Sequence, residues 1–215
     1  MIGAAPAVGR RVRVAGAGRS AAYGEDDGFV VVFTRERPAL PNGVQVASLP
    51  AVGTQLVIRA DQVWDPTLRL ADSVRGVEVV GAEPDLVRAV ETRDPTLAAR
   101  AGARLIGRGG GRTPEGDDLV AGVVAVIAVG DWPGASGQAW IDALIGGDLR
   151  RRTTALSATL LELAATGMGP EPLQAWLAGD AAARARLEAI GHSTGRAIAR
   201  GAAIALSCNR KVASR

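Results

Sequence analysis

"GRGGGRTPEGDDLVAGVVAVIAV", residues 107–129, is the stretch on which the reading of this chain turns. Gly107, Gly109, Gly110 and Gly111 lie close together, Thr113 and Pro114 follow, then Glu115, Asp117 and Asp118 crowd in ahead of an apolar run. Thr113 at the N-cap and Pro114 at the first helical position predict a helix starting here, its first turn carrying the negative charge that the helix dipole favours. Dipole compensation accounts for Glu115 and Asp117. It does not account for the glycines, nor for Gly116 inside the helix, where glycine costs about 1 kcal/mol relative to alanine. Glycine in a first turn is expected where something approaches the backbone closely. Two readings stay open for the stretch, a ligand loop, which covers all of these features, and a purely structural turn and cap. In the ligand loop, backbone N–H groups of Gly109, Gly110 and Gly111 would face an anion, while Asp117 or Asp118 holds a hard cation such as Mg²⁺ or accepts from donor groups of the ligand. A P-loop is rejected: Gly111 and Gly116 have its glycine spacing, but Asp117 and Asp118 stand where Lys and Ser or Thr belong.

Working outward, the run at 119–129 is the length of a core helix, short of the roughly 18 residues needed to span a bilayer. Downstream, "SGQAWIDALIGG", "TTALSATLLELAATG", "EPLQAWLAGD", "AAARARLEAIG" and "STGRAIARGAAIALS" continue the Ala/Leu-rich helical pattern, and upstream "PDLVRAVETR" and "DPTLAARAGARLIG" share it. Before Pro84 the period changes. "RRVRV" alternates polar and apolar, "GFVVVFTR" is a β-branched and aromatic run, and "GVQVASL", "TQLVIRA" and "GVEVV" are short segments bounded by turn residues. The expected fold class is α+β: a β-rich N-terminal half over residues 1–82, a small sheet or barrel-like, followed by an α-helical half over 83–215 that carries the Gly-rich loop.

Composition narrows the function classes. The chain has 215 residues, 47% hydrophobic and 22% charged, enough to bury a core. Lys211 is its only lysine, His192 its only histidine and Cys208 its only cysteine. An intrachain disulfide and the usual Cys/His zinc site are excluded. A net charge of +3 with 3% aromatic residues gives no support to nucleic-acid binding. "GRRVRV" contains a twin arginine, but Arg13 interrupts the apolar segment after it, so an exported leader is not expected. The chain is expected to be cytoplasmic, with neither membrane nor nucleic acid among its partners.

"GHSTG", residues 191–195, matches the G-x-S-x-G pattern of a hydrolase elbow with Ser193 as nucleophile. A triad needs a histidine elsewhere in the chain, and the only one sits beside Ser193. Ser193 or Thr194 is instead expected to cap the helix "GRAIARGAAIAL", with His192 just outside its N-terminus, either as a structural hydrogen-bonder or as a neutral donor to a ligand oxygen. "RRRTT", residues 150–154, reads either as surface charge or as a phosphate- or carboxylate-binding group built on the guanidinium fork. Cys208 reads as a small buried hydrophobe.

Three segments together, "LIGRGGGRTPEGDDLVAG", "RTTALSATLLELAATG" and "IGHSTGRAIARGAAIAL", resemble the signature of a bacterial family that includes the AllH subunit of oxamate carbamoyltransferase in allantoin catabolism. The likeness is strongest from 104 to 206. Family members usually read Gly-Leu-Thr-Pro-Ser-Gly-Asp-Asp at the loop. Gly111, Thr113, Pro114, Gly116, Asp117 and Asp118 match it, as do Arg152, Thr153, Thr154, Ser157, Gly191, His192 and Gly195 elsewhere. Arg112 replaces an apolar residue and Glu115 a serine. The resemblance implies a subunit, alongside two larger ones, of an enzyme that transfers a carbamoyl group between phosphate and oxamate, or a paralogue acting on another acyl or carbamoyl substrate. On this reading Asp117, Asp118 and His192 are the catalytic candidates. Gly109, Gly110, Gly111 and Arg152 bind the phosphate or carboxylate of a small anionic substrate, with Thr113, Gly116, Thr153, Thr154 and Ser193 completing the binding set. Asp117 and Asp118 would hold Mg²⁺ or the amide donors of a carbamoyl group, and His192 would donate to a developing oxyanion. The alternative from another class is a non-catalytic small-anion-binding or scaffold protein.

Overall fold

The computed structural model describes residues 7–71, 74, 83–130, 132 and 136–208. The chain divides into two units, Met1–Thr67 and Leu68–Arg215.

In the first unit, the alternation read from the sequence builds β1 (Arg11–Ala17), with Val12 and Val14 buried and Arg11 and Arg13 exposed. β2 (Ala21–Asp26) and β3 (Phe29–Thr34) form an antiparallel hairpin closed by Asp27 and Gly28, both in the left-handed region at φ 48° and 76°. Two positive φ values at the turn match the right-handed twist of the strands they join. β4 (Gly43–Gln45) runs parallel to β3, and β5 (Gln55–Val57) pairs antiparallel with β1, giving the order β4-β3-β2-β1-β5. Buried Asn42 donates through Nδ2 to the Val30 carbonyl at 2.9 Å, joining the start of β4 to β3. Four of the segments read as strands lie in this sheet. "AAYGED" was not read as one, because small and polar residues carry no β signal. It becomes β2 by pairing on both sides. "GVEVV", residues 76–80, lies outside the described residues.

The second unit is helical: α1 (Pro84–Thr92), α2 (Pro95–Leu105), α3 (Glu115–Val129), α4 (Ser136–Ile145), α5 (Leu149–Arg152), α6 (Ala155–Ala165), α7 (Glu171–Leu177), α8 (Ala183–Glu188) and α9 (Thr194–Cys208). The expected α+β class, β-rich first and helical second, is what the chain forms. Among the described residues no helix is long and apolar enough to cross a membrane.

α3 is apolar around nearly its whole circumference and is accordingly buried along most of its length, with α9 as its principal neighbour. The two helices meet backbone to backbone. A Cβ on Gly122 would lie 2.1 Å from the Ile198 carbonyl oxygen, and one on Gly201 would lie 2.0 Å from that of Leu119. Only hydrogen fits at either position. This crossing brings the N-terminal turns of both helices side by side, which is where the candidate site lies.

The start of α3 differs from the expectation. Pro114, not Thr113, is the N-cap, with ψ 138°, and Glu115 is the first helical residue. The N–H of Gly116 goes to the Arg108 carbonyl at 2.9 Å, so the loop itself takes up an end-of-helix donor that a side chain would otherwise cap. Thr113 is thereby released for another bond, with Thr194.

Candidate functional site

Asp117 is 1% exposed and its two carboxylate oxygens face the chain's own donors. Oδ1 accepts from the Gly107 N–H at 2.6 Å and Oδ2 from the Thr153 hydroxyl. Charge-assisted bonds of this kind contribute about 1.5–3 kcal/mol each. They tie the entry of the glycine loop and the end of α5 to the first turn of α3. Thr154 adds a further tether: it caps α6 by accepting from Ser157 N–H at 3.1 Å and donates to the Arg112 carbonyl at 2.6 Å. The Arg152 guanidinium donates to the carbonyls of Gly146 at 2.5 Å and Gly102 at 3.0 Å, joining the ends of α4 and α2.

The close approach that Gly116 called for is likewise internal. A Cβ there would lie 2.1 Å from the Leu105 carbonyl oxygen and 3.1 Å from that of Arg108. Gly109, at φ 123°, faces the Glu115 N–H so closely that a Cβ would fall 2.7 Å from it. Gly110 and Gly111 are exposed and open to solvent. The loop is thus braced from within, and only its tip faces outward.

Asp118 has a different setting. Its residue is 2% exposed, the hydroxyls of Thr194 and Thr113 hydrogen-bond its carboxyl, and those two hydroxyls lie 2.9 Å from one another. Oδ2 has no partner among the described residues. Burial pushes the carboxyl up to about 7, against the lowering effect of the two threonines and with smaller help from the charges of Asp117 and Glu115. The cluster joins the first turn of α3 to the first turn of α9, and at neutral pH it is divided between protonated and ionised forms.

Beside this junction lie two clefts. The larger, about 480 Å³, is lined by Glu115 from α3, Arg184 and Glu188 from α8, His192 and Ser193 from the turn before α9, and Arg196, Ala197, Arg200 and Ala203 from α9. The smaller, about 240 Å³, is lined by Glu83, Leu105, Arg108, Gly109, Glu115, Gly116, Leu119 and Arg200. Arg184 is steadied by Glu188 at 2.9 Å and stacks over Trp176 at 5.5 Å. Arg196, exposed in the first turn of α9, donates to the His192 carbonyl. A cation there opposes the helix dipole at a cost of about 0.3–1 kcal/mol, and no acidic residue shares that turn. Three guanidiniums therefore converge on a cleft that holds two carboxylates, an arrangement suited to a phosphate or carboxylate.

The structure brings His192 and Ser193 to the larger cleft and Gly109 and Gly116 to the smaller, whereas Asp117, Asp118, Thr113, Thr153, Thr154 and Arg152 bond to one another or to backbone. The sequence reading did not single out Arg184, Glu188, Arg196 or Arg200. For Arg196 and Arg200 the signal was present in the four-residue spacing of "GRAIARG", which puts both on one helix face. Arg184 reaches the cleft through tertiary packing and left no signal.

Residues 105–206 match the family model of oxamate carbamoyltransferase subunit AllH. The AllH match runs from the end of α2 into the last turns of α9, and so contains the braced loop, the Asp118 cluster and most of both clefts. It bears out the resemblance read over 104 to 206. The first unit, with its sheet, lies outside the AllH match. No curated protein matches the chain, and no solved structure does.

Proposed function

We propose that the chain is a subunit of a transferase that handles a carbamoyl or acyl phosphate, of the oxamate carbamoyltransferase kind, and that it holds a small anionic ligand between Gly109 of the glycine loop and the N-terminal turns of α9. The observation that carries this reading is the convergence of Arg184, Arg196 and Arg200 on one cleft beside the loop. In this assignment Arg196 and Arg200 bind the anion, His192 and Ser193 offer hydrogen-bond donors at its edge, and Gly109 presents backbone at the smaller cleft. Asp117 and Asp118 are positioning residues: one fixes the loop, the other registers α3 against α9. A cation at Asp117 would have to displace the Gly107 or Thr153 donor, so the reading uses no Mg²⁺. The partners are the other subunits that the family name implies, taken here as larger ones, with the reaction compartment cytoplasmic.

The internal bracing favours one further reading, a non-catalytic subunit that holds the anion for a partner's active site. A complex purified from the native cell through this chain tests both readings against a cleft with no role in the reaction. Carbamoyl transfer from carbamoyl phosphate to oxamate is expected to fall about tenfold or more when Arg196→Ala replaces the wild-type chain, with assembly retained. Full activity in that complex would contradict a role for the cleft in either form.

A further inference from the structure

Glu115 and Arg200 line both clefts, so their ion pair is the wall between them. As a bond it is poor. Nη1 lies 3.5 Å from the carboxylate, the Glu115 side chain is 53% exposed, and the Arg200 Nε is buried with no hydrogen-bond partner among the described residues. A buried guanidinium nitrogen left unpaired is costly, and an oxyanion presenting two oxygens in place of the Glu115 carboxylate would satisfy Nε and one Nη together. Glu115 supplies one oxygen at long range instead.

We propose that Glu115 is an internal competitor for the anion site: an incoming oxyanion takes the place of its carboxylate on Arg200, and the displacement joins the two clefts into one. The inference rests on the anion-binding reading above. The joined space runs from Arg196 in the larger cleft to Arg108 and Gly109 in the smaller, within the range of small-molecule sites of roughly 300–1,000 Å³. Glu115 then sets a threshold, since a ligand must exceed the carboxylate's hold on Arg200 before it enters.

Inorganic phosphate titrated calorimetrically into the full chain, its Glu115→Gln, Arg200→Gln and Glu188→Gln variants, tests this, with melting curves confirming that each is folded. Glu115→Gln is expected to bind phosphate about fivefold more tightly than wild type, the size of an exposed ion pair that no longer has to be broken, and Arg200→Gln more weakly. Binding by Glu115→Gln alone also supports the proposal. Equal gains in Glu115→Gln and Glu188→Gln would mean that any nearby negative charge acts, and would overturn the competitor role. Unchanged or weaker binding in Glu115→Gln, with wild type binding, would overturn it and leave the anion site standing. No binding by any of the four would overturn both.

Discussion

Gly122→Leu is expected to remove more than about 3 kcal/mol of stability from the helical unit, the largest effect of any single substitution at the α3 and α9 crossing. Overpacking of a core by side-chain atoms costs about 1–3 kcal/mol because neighbouring side chains rotate away. Here the nearest atom is the Ile198 carbonyl oxygen, 2.1 Å from a Cβ, with the Ala202 nitrogen at 2.9 Å, and backbone in a packed helix cannot rotate away. The helices must separate. That separation would uncover Val123, Ile198 and Ala202, all buried, and pull Thr194 from Asp118 and Arg200 from Glu115. Gly201→Ala makes the reciprocal test, since its Cβ would meet the Leu119 oxygen at 2.0 Å. Gly110→Ala is the control: it has no neighbour within 4 Å and is expected to stay within about 0.5 kcal/mol of wild type in urea denaturation. Equal stability of the Gly122→Leu and Gly110→Ala proteins would contradict the backbone crossing.

The second large effect is a pH dependence located at Asp118. Its folded-state value of about 7 lies above the 3.8 of an unperturbed aspartate, so the native state binds a proton that the unfolded chain releases. The sign follows. This contribution is fully present below about pH 4, shrinks as pH rises, and is lost once pH passes about 7. Across that window it amounts to about 4 kcal/mol at most. Asp118→Asn keeps a neutral group of the same shape that can still bond Thr113 and Thr194. Its stability is therefore expected to equal that of wild type near pH 4 and to exceed it increasingly up to pH 8. Parallel stability curves for the two proteins would contradict a buried carboxyl that keeps its proton up to about pH 7.

Much of the fold was legible because periodicity speaks directly about burial. The alternation of Val12 and Val14 with Arg11 and Arg13, the unbroken apolar run of α3 and the change of period near Pro84 each state which faces must leave water. β2 was not legible, since "AAYGED" owes its strand to its neighbours. At the candidate site one glycine has a different neighbour from the one expected: Gly116 is needed because the end of α2 presses on α3, a long-range contact that a linear reading cannot distinguish from a ligand. The helix start moved by one residue for a related reason, as the Arg108 carbonyl competes with the Thr113 side chain for a backbone donor. Arg184 illustrates the remaining gap, because its meeting with Arg196 and Arg200 depends on how α8 packs on α9.

The arginine cleft beside the braced loop is proposed to take a small phosphate- or carboxylate-bearing ligand. Thermal melting of the purified chain with carbamoyl phosphate, oxamate and inorganic phosphate, in parallel with Arg196→Ala, tests it most directly. A ligand present at 100 times its dissociation constant stabilises the folded state by about 2.7 kcal/mol. The melting temperature is expected to rise with at least one of the three for wild type and to rise little or not at all for Arg196→Ala. An equal rise in both proteins would place the ligand elsewhere and contradict the account.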